Sequence, residues 1–126
     1  MNGVLVDTSV WVDHFRNRNN ALIELLELDL AMIHPVIIGE IACGTPPYRK
    51  KTLADLQTLQ PSQQASVHEV IDFIEREQLF GQGCGLIDLQ LLASTLMTPD
   101  IVLWTLDKRL STLAERFAIN YSPVHH

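Results

Sequence analysis

Four acidic residues stand where apolar runs give way to new elements. Asp7 ends Gly3-Val4-Leu5-Val6, Glu40 interrupts the apolar stretch Val36–Gly44, Asp88 follows the glycine-spaced segment Gly81–Gly85, and Asp107 lies just past Ile101–Trp104. Carboxylate oxygens are the donors that Mg²⁺ and Mn²⁺ prefer, and these ions keep several waters and accept phosphate oxygens. A cation held this way lowers the pKa of a bound water and neutralises charge developing on a phosphate. Without the cation, clustered carboxylates repel one another and their pKa values rise. The chemistry that suits Asp7, Glu40, Asp88 and Asp107 as a group is metal-assisted hydrolysis of a phosphate ester.

Each acid also has a purely structural reading. Asp107 is placed to cap a helix beginning at Lys108, Asp88 supplies favourable negative charge near a helix N-terminus, and Asp7 can form a turn with Thr8 and Ser9. Glu40 fits such a reading least. Its helical neighbours three and four positions away are Val36, Ile37, Cys43 and Gly44, so the sequence predicts an unsolvated face, where a carboxylate is costly unless paired or bound to a cation.

The elements that must position these acids alternate in type. Gly3–Val6, Leu30–His34 and Ile101–Trp104 read as short buried strands, with Thr58–Gln60 and Ile119–Tyr121 as candidate edge strands. Between them, helical periodicity predicts helices from Val10, over Ala21–Leu28, Val36–Gly44, Tyr48–Leu59, Val67–Gln78, Leu86–Met97 and Lys108–Phe117. Thr8 and Ser9 offer an N-cap to the first, and Pro35 and Pro46-Pro47 set breaks. Strands alternating with helices imply a mainly parallel sheet covered on both faces, an α/β/α three-layer sandwich. Sites in such sheets form at the carboxyl ends of strands, so Asp7 and Asp107 are predicted to project from one edge.

The 126 residues are 47% hydrophobic and 19% charged, a globular composition that predicts one domain over residues 1–126. Every apolar run is too short to span a bilayer, and Met1–Ser9 lacks the features of a secretory signal, so the expected location is the cytoplasm. Cys43 and Cys84 form no CxxC pair and are expected to be reduced and mostly buried. The histidines at 14, 34, 68, 125 and 126 show no zinc spacing; His125 and His126 are consistent with a tag remnant and receive no role. A net charge of −6 argues against a broad nucleic-acid surface. Local cations remain at Arg16 and Arg18, Arg49-Lys50-Lys51, and Lys108-Arg109. Trp11 and Trp104 read as core aromatics.

Four segments, VLVDTSVWVDHF (Val4–Phe15), IIGEIACG (Ile37–Gly44), GLIDLQLLAS (Gly85–Ser94) and LWTLDKRL (Leu103–Leu110), together resemble the ordered motifs of bacterial VapC-type PIN domains. That resemblance covers nearly the whole chain. It implies a divalent-metal endoribonuclease acting on structured or translation-related RNA such as tRNA, the toxin of a type II toxin–antitoxin system. Asp7, Glu40, Asp88 and Asp107 would be its metal-holding quartet, with Mg²⁺ or Mn²⁺ as cofactor. Thr105 matches the polar residue beside the acids, Ser9 would bond Asp7 or a water, and Arg109 would contact substrate phosphate. The resemblance further implies a homodimer and a VapB-type antitoxin whose tail wraps the toxin, an embrace that suits an acidic protein.

Two rival classes are distinguishable. A haloacid-dehalogenase-like phosphatase would want a second acid two residues after Asp7, where Ser9 stands, and no GxxxxGK[ST] phosphate loop occurs. A PIN-fold module that binds protein or RNA without catalysis would keep the fold but need none of the four acids.

Overall fold

The computed structural model describes residues 1–123; His125 and His126 lie outside the described residues. The chain runs β1 (Gly3–Val6), α1 (Thr8–Asn17), α2 (Asn20–Glu27), β2 (Ala31–Ile33), α3 (Pro35–Ala42), α4 (Arg49–Leu56), β3 (Gln60–Pro61), α5 (Val67–Glu77), α6 (Leu86–Met97), β4 (Ile101–Trp104) and α7 (Lys108–Arg116). The strands form one all-parallel sheet in the order β3-β2-β1-β4. All four residues of β1 and all three of β2 are buried, which is why these segments read as continuous apolar runs rather than alternating ones. Helices α1, α3 and α4 pack in succession, as do α5, α6 and α7, giving the three-layer α/β/α arrangement with the sheet between the layers.

Strand order determines where a site can form. The chain steps outward from β1 to β2 to β3, then returns to lay β4 on the opposite side of β1. The order reverses between β1 and β4, and the crevice outside the carboxyl ends of strands at such a switch point is where ligands bind in open α/β sheets. In register, Val6 pairs with Trp104, so Asp7 and Thr105 leave the sheet side by side.

Several boundaries differ from the sequence-based expectation. The cap position of α1 is Asp7, not Thr8 or Ser9, and no side chain there makes a capping bond, because the Asp7 carboxylate is engaged elsewhere. The third strand is shifted to Gln60–Pro61; Pro61 is tolerated on an edge, where its missing N–H costs the ladder nothing. Ile119–Tyr121 forms no strand, only a bridge from Asn120 to Leu103. Cys43 is exposed and Cys84 half-buried, both free, contrary to the expected burial, since Cys43 falls at the C-cap of α3 on the surface. Trp11 and Trp104 are core residues. Among the described residues, no helix is long and apolar enough to cross a membrane.

Candidate active site

Asp7 is the innermost acid, 6% exposed at the end of β1. A carboxylate this buried needs hydrogen-bond donors, and two hydroxyls supply them. Ser9 Oγ donates to Asp7 Oδ2 at 2.7 Å, and Thr105 Oγ1 donates to the same oxygen at 2.8 Å. Both hydroxyls are themselves fixed by backbone donors, Ser9 Oγ by the Leu106 N–H at 3.0 Å and Thr105 Oγ1 by the Asp107 N–H at 3.1 Å. Each relay passes one proton toward Asp7, so Oδ2 is locked in orientation. Oδ1 carries no hydrogen bond among the described residues.

The other acids come from the first turn of α6, the N-cap of α7 and helix α3. Asp88 lies in the first turn of α6, half-buried, with a long 3.4 Å bond accepted from the Gly85 N–H. Burial raises its pKa above the ordinary carboxylate value; the Gly85 bond opposes that, and the charges of Asp7, Asp107 and Glu40 push it further up. All three other acids therefore act on Asp88. Asp107 caps α7, its Oδ1 accepting from the N–H groups of Arg109 at 2.9 Å and Leu110 at 3.0 Å. Its capping role is real, and it uses one oxygen only. Glu40 accepts from Thr8 Oγ1 at 2.7 Å, tying α3 to α1.

Glu40 is exposed, contrary to the expected unsolvated face. The buried stripe of α3 is Ile37 and Ile41, and Glu40 falls one position off it, at the rim. It borders a cleft of about 360 Å³ that also includes Arg16, Phe15 and Pro46. Thr8 is a contact that sequence reasoning missed, because its partner is 32 residues away and no local pattern reports such a pairing.

Among the described residues, no three Asp, Glu, His or Cys side chains close into a ready-made metal cage. The donor set nonetheless fits a hard divalent cation. Mg²⁺ keeps most of its waters and needs only one or two direct carboxylates, and the raised pKa of Asp88 is the electrostatic debt that a cation would relieve. A thiol nucleophile is disfavoured: burial, followed by Asp88 and Asp107, pushes the Cys84 pKa up, against an opposing effect of Arg109. Of the other basic residues, Arg49 is committed to the carbonyls of Ala42 and Gly44, and Lys51 to Asp55 at 2.7 Å.

Comparison with known proteins bears on this geometry directly. A family model described as the PIN domain matches residues 4–116, a span that contains all four acids and, apart from Gly3, every strand. The chain belongs to the PIN-domain family. This PIN domain is also 40% identical over 107 residues to proteins named Ribonuclease VapC32 from two strains of Mycobacterium tuberculosis, covering 85% of this chain and 86% of each relative. Divalent-metal dependence is general among PIN-domain ribonucleases, in keeping with the oxygen-rich rim at the β1–β4 switch point.

Proposed function

We propose that this PIN domain, one unit over residues 1–126, is an endoribonuclease that hydrolyses RNA phosphodiester bonds with Mg²⁺ or Mn²⁺, and that it is the toxin of a type II toxin–antitoxin pair. The observation that carries the reading is the Asp7 carboxylate, held by the hydroxyls of Ser9 and Thr105 through one oxygen, while Asp7, Asp107 and Glu40 together raise the pKa of Asp88. Asp7 and Asp88 would hold the ion, with Glu40 and Asp107 acting directly or through water. When bound, such an ion supplies positive charge against the phosphate and lowers the pKa of water.

The chain's own residues do the rest. Ser9 and Thr105 keep Asp7 from rotating, which preserves ligand geometry before substrate arrives. Asp107 ties the acidic rim to the first turn of α7, and Arg109 contacts substrate phosphate. Attack of water on phosphorus opposite the 3′ oxygen forms the new P–O bond and breaks the old one, leaving a 5′-phosphate and a 3′-hydroxyl. No protein nucleophile is required.

Several further features belong to this reading. The RNA is structured or translation-related, such as tRNA; the protein acts in the cytoplasm as a homodimer; and a VapB-type antitoxin holds it inactive. The test is incubation of purified, antitoxin-free protein with total RNA and Mg²⁺ or Mn²⁺, beside an Asp7→Asn variant and an EDTA control. Discrete fragments with 5′-phosphates, absent from both controls, are expected. Metal-loaded protein that cuts no RNA pool would overturn the reading and leave a non-catalytic binding module in its place.

A further inference from the structure

Two glycines in the loop before α6, Gly81 and Gly83, hold positive φ angles of 73° and 81°. They differ in what a side chain would meet. A Cβ at Gly81 would have nothing within 4 Å, whereas one at Gly83 would fall 2.6 Å from Cδ and 3.0 Å from both Nε and Nη1 of Arg109. Arg109 thus lies across the bare backbone of Gly83, in the space that any other residue would fill. Its own main chain is fixed as well, through the bond from its N–H to Asp107 Oδ1 at 2.9 Å.

The guanidinium is also uncommitted. The ion pairs among the described residues join Met1 to Asp100, Lys51 to Asp55, and both Arg76 and Arg116 to Glu77; Arg109 takes part in none. Asp88, Asp107 and Arg109 all exert charge effects on the same thiol, that of Cys84, and the Arg109 backbone N–H is bonded to Asp107. An arginine collapsed onto Asp88 or Asp107 would occupy the oxygens a metal needs. Seated on Gly83, the guanidinium carries no ion pair to either carboxylate among the described residues. The planar fork of arginine matches phosphate oxygens two at a time, and a protein of net charge −6 depends on such local cations to approach RNA.

We propose that Gly83 is a positioning residue: by carrying no side chain it seats Arg109 beside the acidic cluster, where the guanidinium grips an RNA phosphate next to the scissile one. This inference rests on the ribonuclease reading for the identity of its ligand, and Gly81 provides an internal control for backbone strain.

The test is fluorescence anisotropy with a short fluorescein-labelled single-stranded RNA in EDTA, so that nothing is cut, across a salt series. Thermal melts verify that each variant is folded. Arg109→Ala is expected to raise Kd roughly five- to tenfold and to flatten the log Kd against log salt slope by about 0.7, the value for one phosphate contact on a single strand. Gly83→Ala should match it, and Gly83→Asn should too; asparagine tolerates positive φ better than most residues, so it blocks the seat with less backbone strain. Gly81→Ala should change little, and the Gly83→Ala/Arg109→Ala double variant should bind no worse than Arg109→Ala alone. Equal losses at Gly81 and Gly83, additive losses in the double variant, or an Arg109→Ala protein with unchanged Kd and slope would each overturn the proposal, as would wild-type protein that binds no RNA. The expected binding pattern in a protein that never cuts RNA would leave this inference standing and remove the nuclease reading instead.

Discussion

His34 and Asp7 hold equivalent places, each the first residue past a neighbouring strand and each almost fully buried. His34 Nδ1 accepts from the Val36 N–H at 3.1 Å, capping α3, which places the ring proton on Nε2. Nε2 meets Ser94 Oγ at 3.2 Å, and that oxygen also accepts from the Ala65 N–H at 3.0 Å. Both ring nitrogens are used and no charge is left over. Around Asp7 the donors are equally well placed, but Oδ1 accepts no hydrogen bond among the described residues, and Asp7 joins Asp107 and Glu40 in raising the pKa of Asp88. The first cluster closes on itself and joins β2 to α6. The second stops short of closure, at the switch point of the sheet. Burial and good hydrogen bonds are common to both; what separates a structural knot from a site is the charge left over.

Exchanging the charge in one cluster and the shape in the other should separate function from stability. Asp7→Asn is nearly isosteric and should leave the fold intact while lowering RNA cleavage on the order of a thousandfold, several kcal/mol of transition-state stabilisation. Single-turnover cleavage at saturating metal measures it. Ser9→Ala and Thr105→Val each release one hold on Asp7 and should cost roughly ten- to a hundredfold in activity or metal affinity, with melting temperatures close to wild type.

His34→Leu should do the opposite. It strands the Val36 N–H and weakens the support of Ser94, so urea unfolding should show a loss of about 1–3 kcal/mol, while the folded fraction cuts RNA normally. A folded but inactive His34→Leu protein would break the comparison. The same histidine sets an acid limit. Burial lowers its pKa below the ordinary 6.5, so the native state binds fewer protons than the unfolded chain. Its contribution to stability is complete above about pH 6.5 and is lost as pH falls through that value toward the lowered one. Stability profiles of wild type and His34→Leu should therefore converge on acidification.

Asp88 has the reverse sign and the smallest effect. Its raised pKa means that its contribution is present only below the ordinary carboxylate value and disappears as pH rises through the raised one. At neutral pH without metal the ionised group is a cost, reduced by its partial exposure. Asp88→Asn should raise the melting temperature of EDTA-treated protein by roughly one to three degrees, and Mg²⁺ should stabilise wild type more than the variant. A lower melting temperature for the variant in EDTA would show that the carboxylate is not under strain.

The strands that position the site were the most legible part of the sequence. β1 and β4 are uninterrupted apolar runs, and an acid at or just past the end of each follows from reading where those runs stop. The positions of Asp88 and Asp107 near helix starts were legible for the same reason. Exposure was less so: Glu40 has apolar neighbours along its helix, yet the face it occupies depends on how α3 is rotated against the sheet, which no local pattern encodes. The contacts that organise the site, Thr8 with Glu40 and Thr105 with Asp7, join residues 32 and 98 positions apart. Thr105 is marked in the sequence only by the family resemblance, and no local pattern around Gly83 signals that Arg109, 26 residues on, lies across it.

The most direct test of the account is calorimetric titration of Mn²⁺ into metal-free wild type, Asp7→Asn, Asp88→Asn and His34→Leu proteins. Binding by wild type and His34→Leu, lost or severely weakened in Asp7→Asn and Asp88→Asn, is the predicted result. Mn²⁺ that binds Asp7→Asn as tightly as wild type, or does not bind wild type at all, would contradict the claim that these acids form a metal centre.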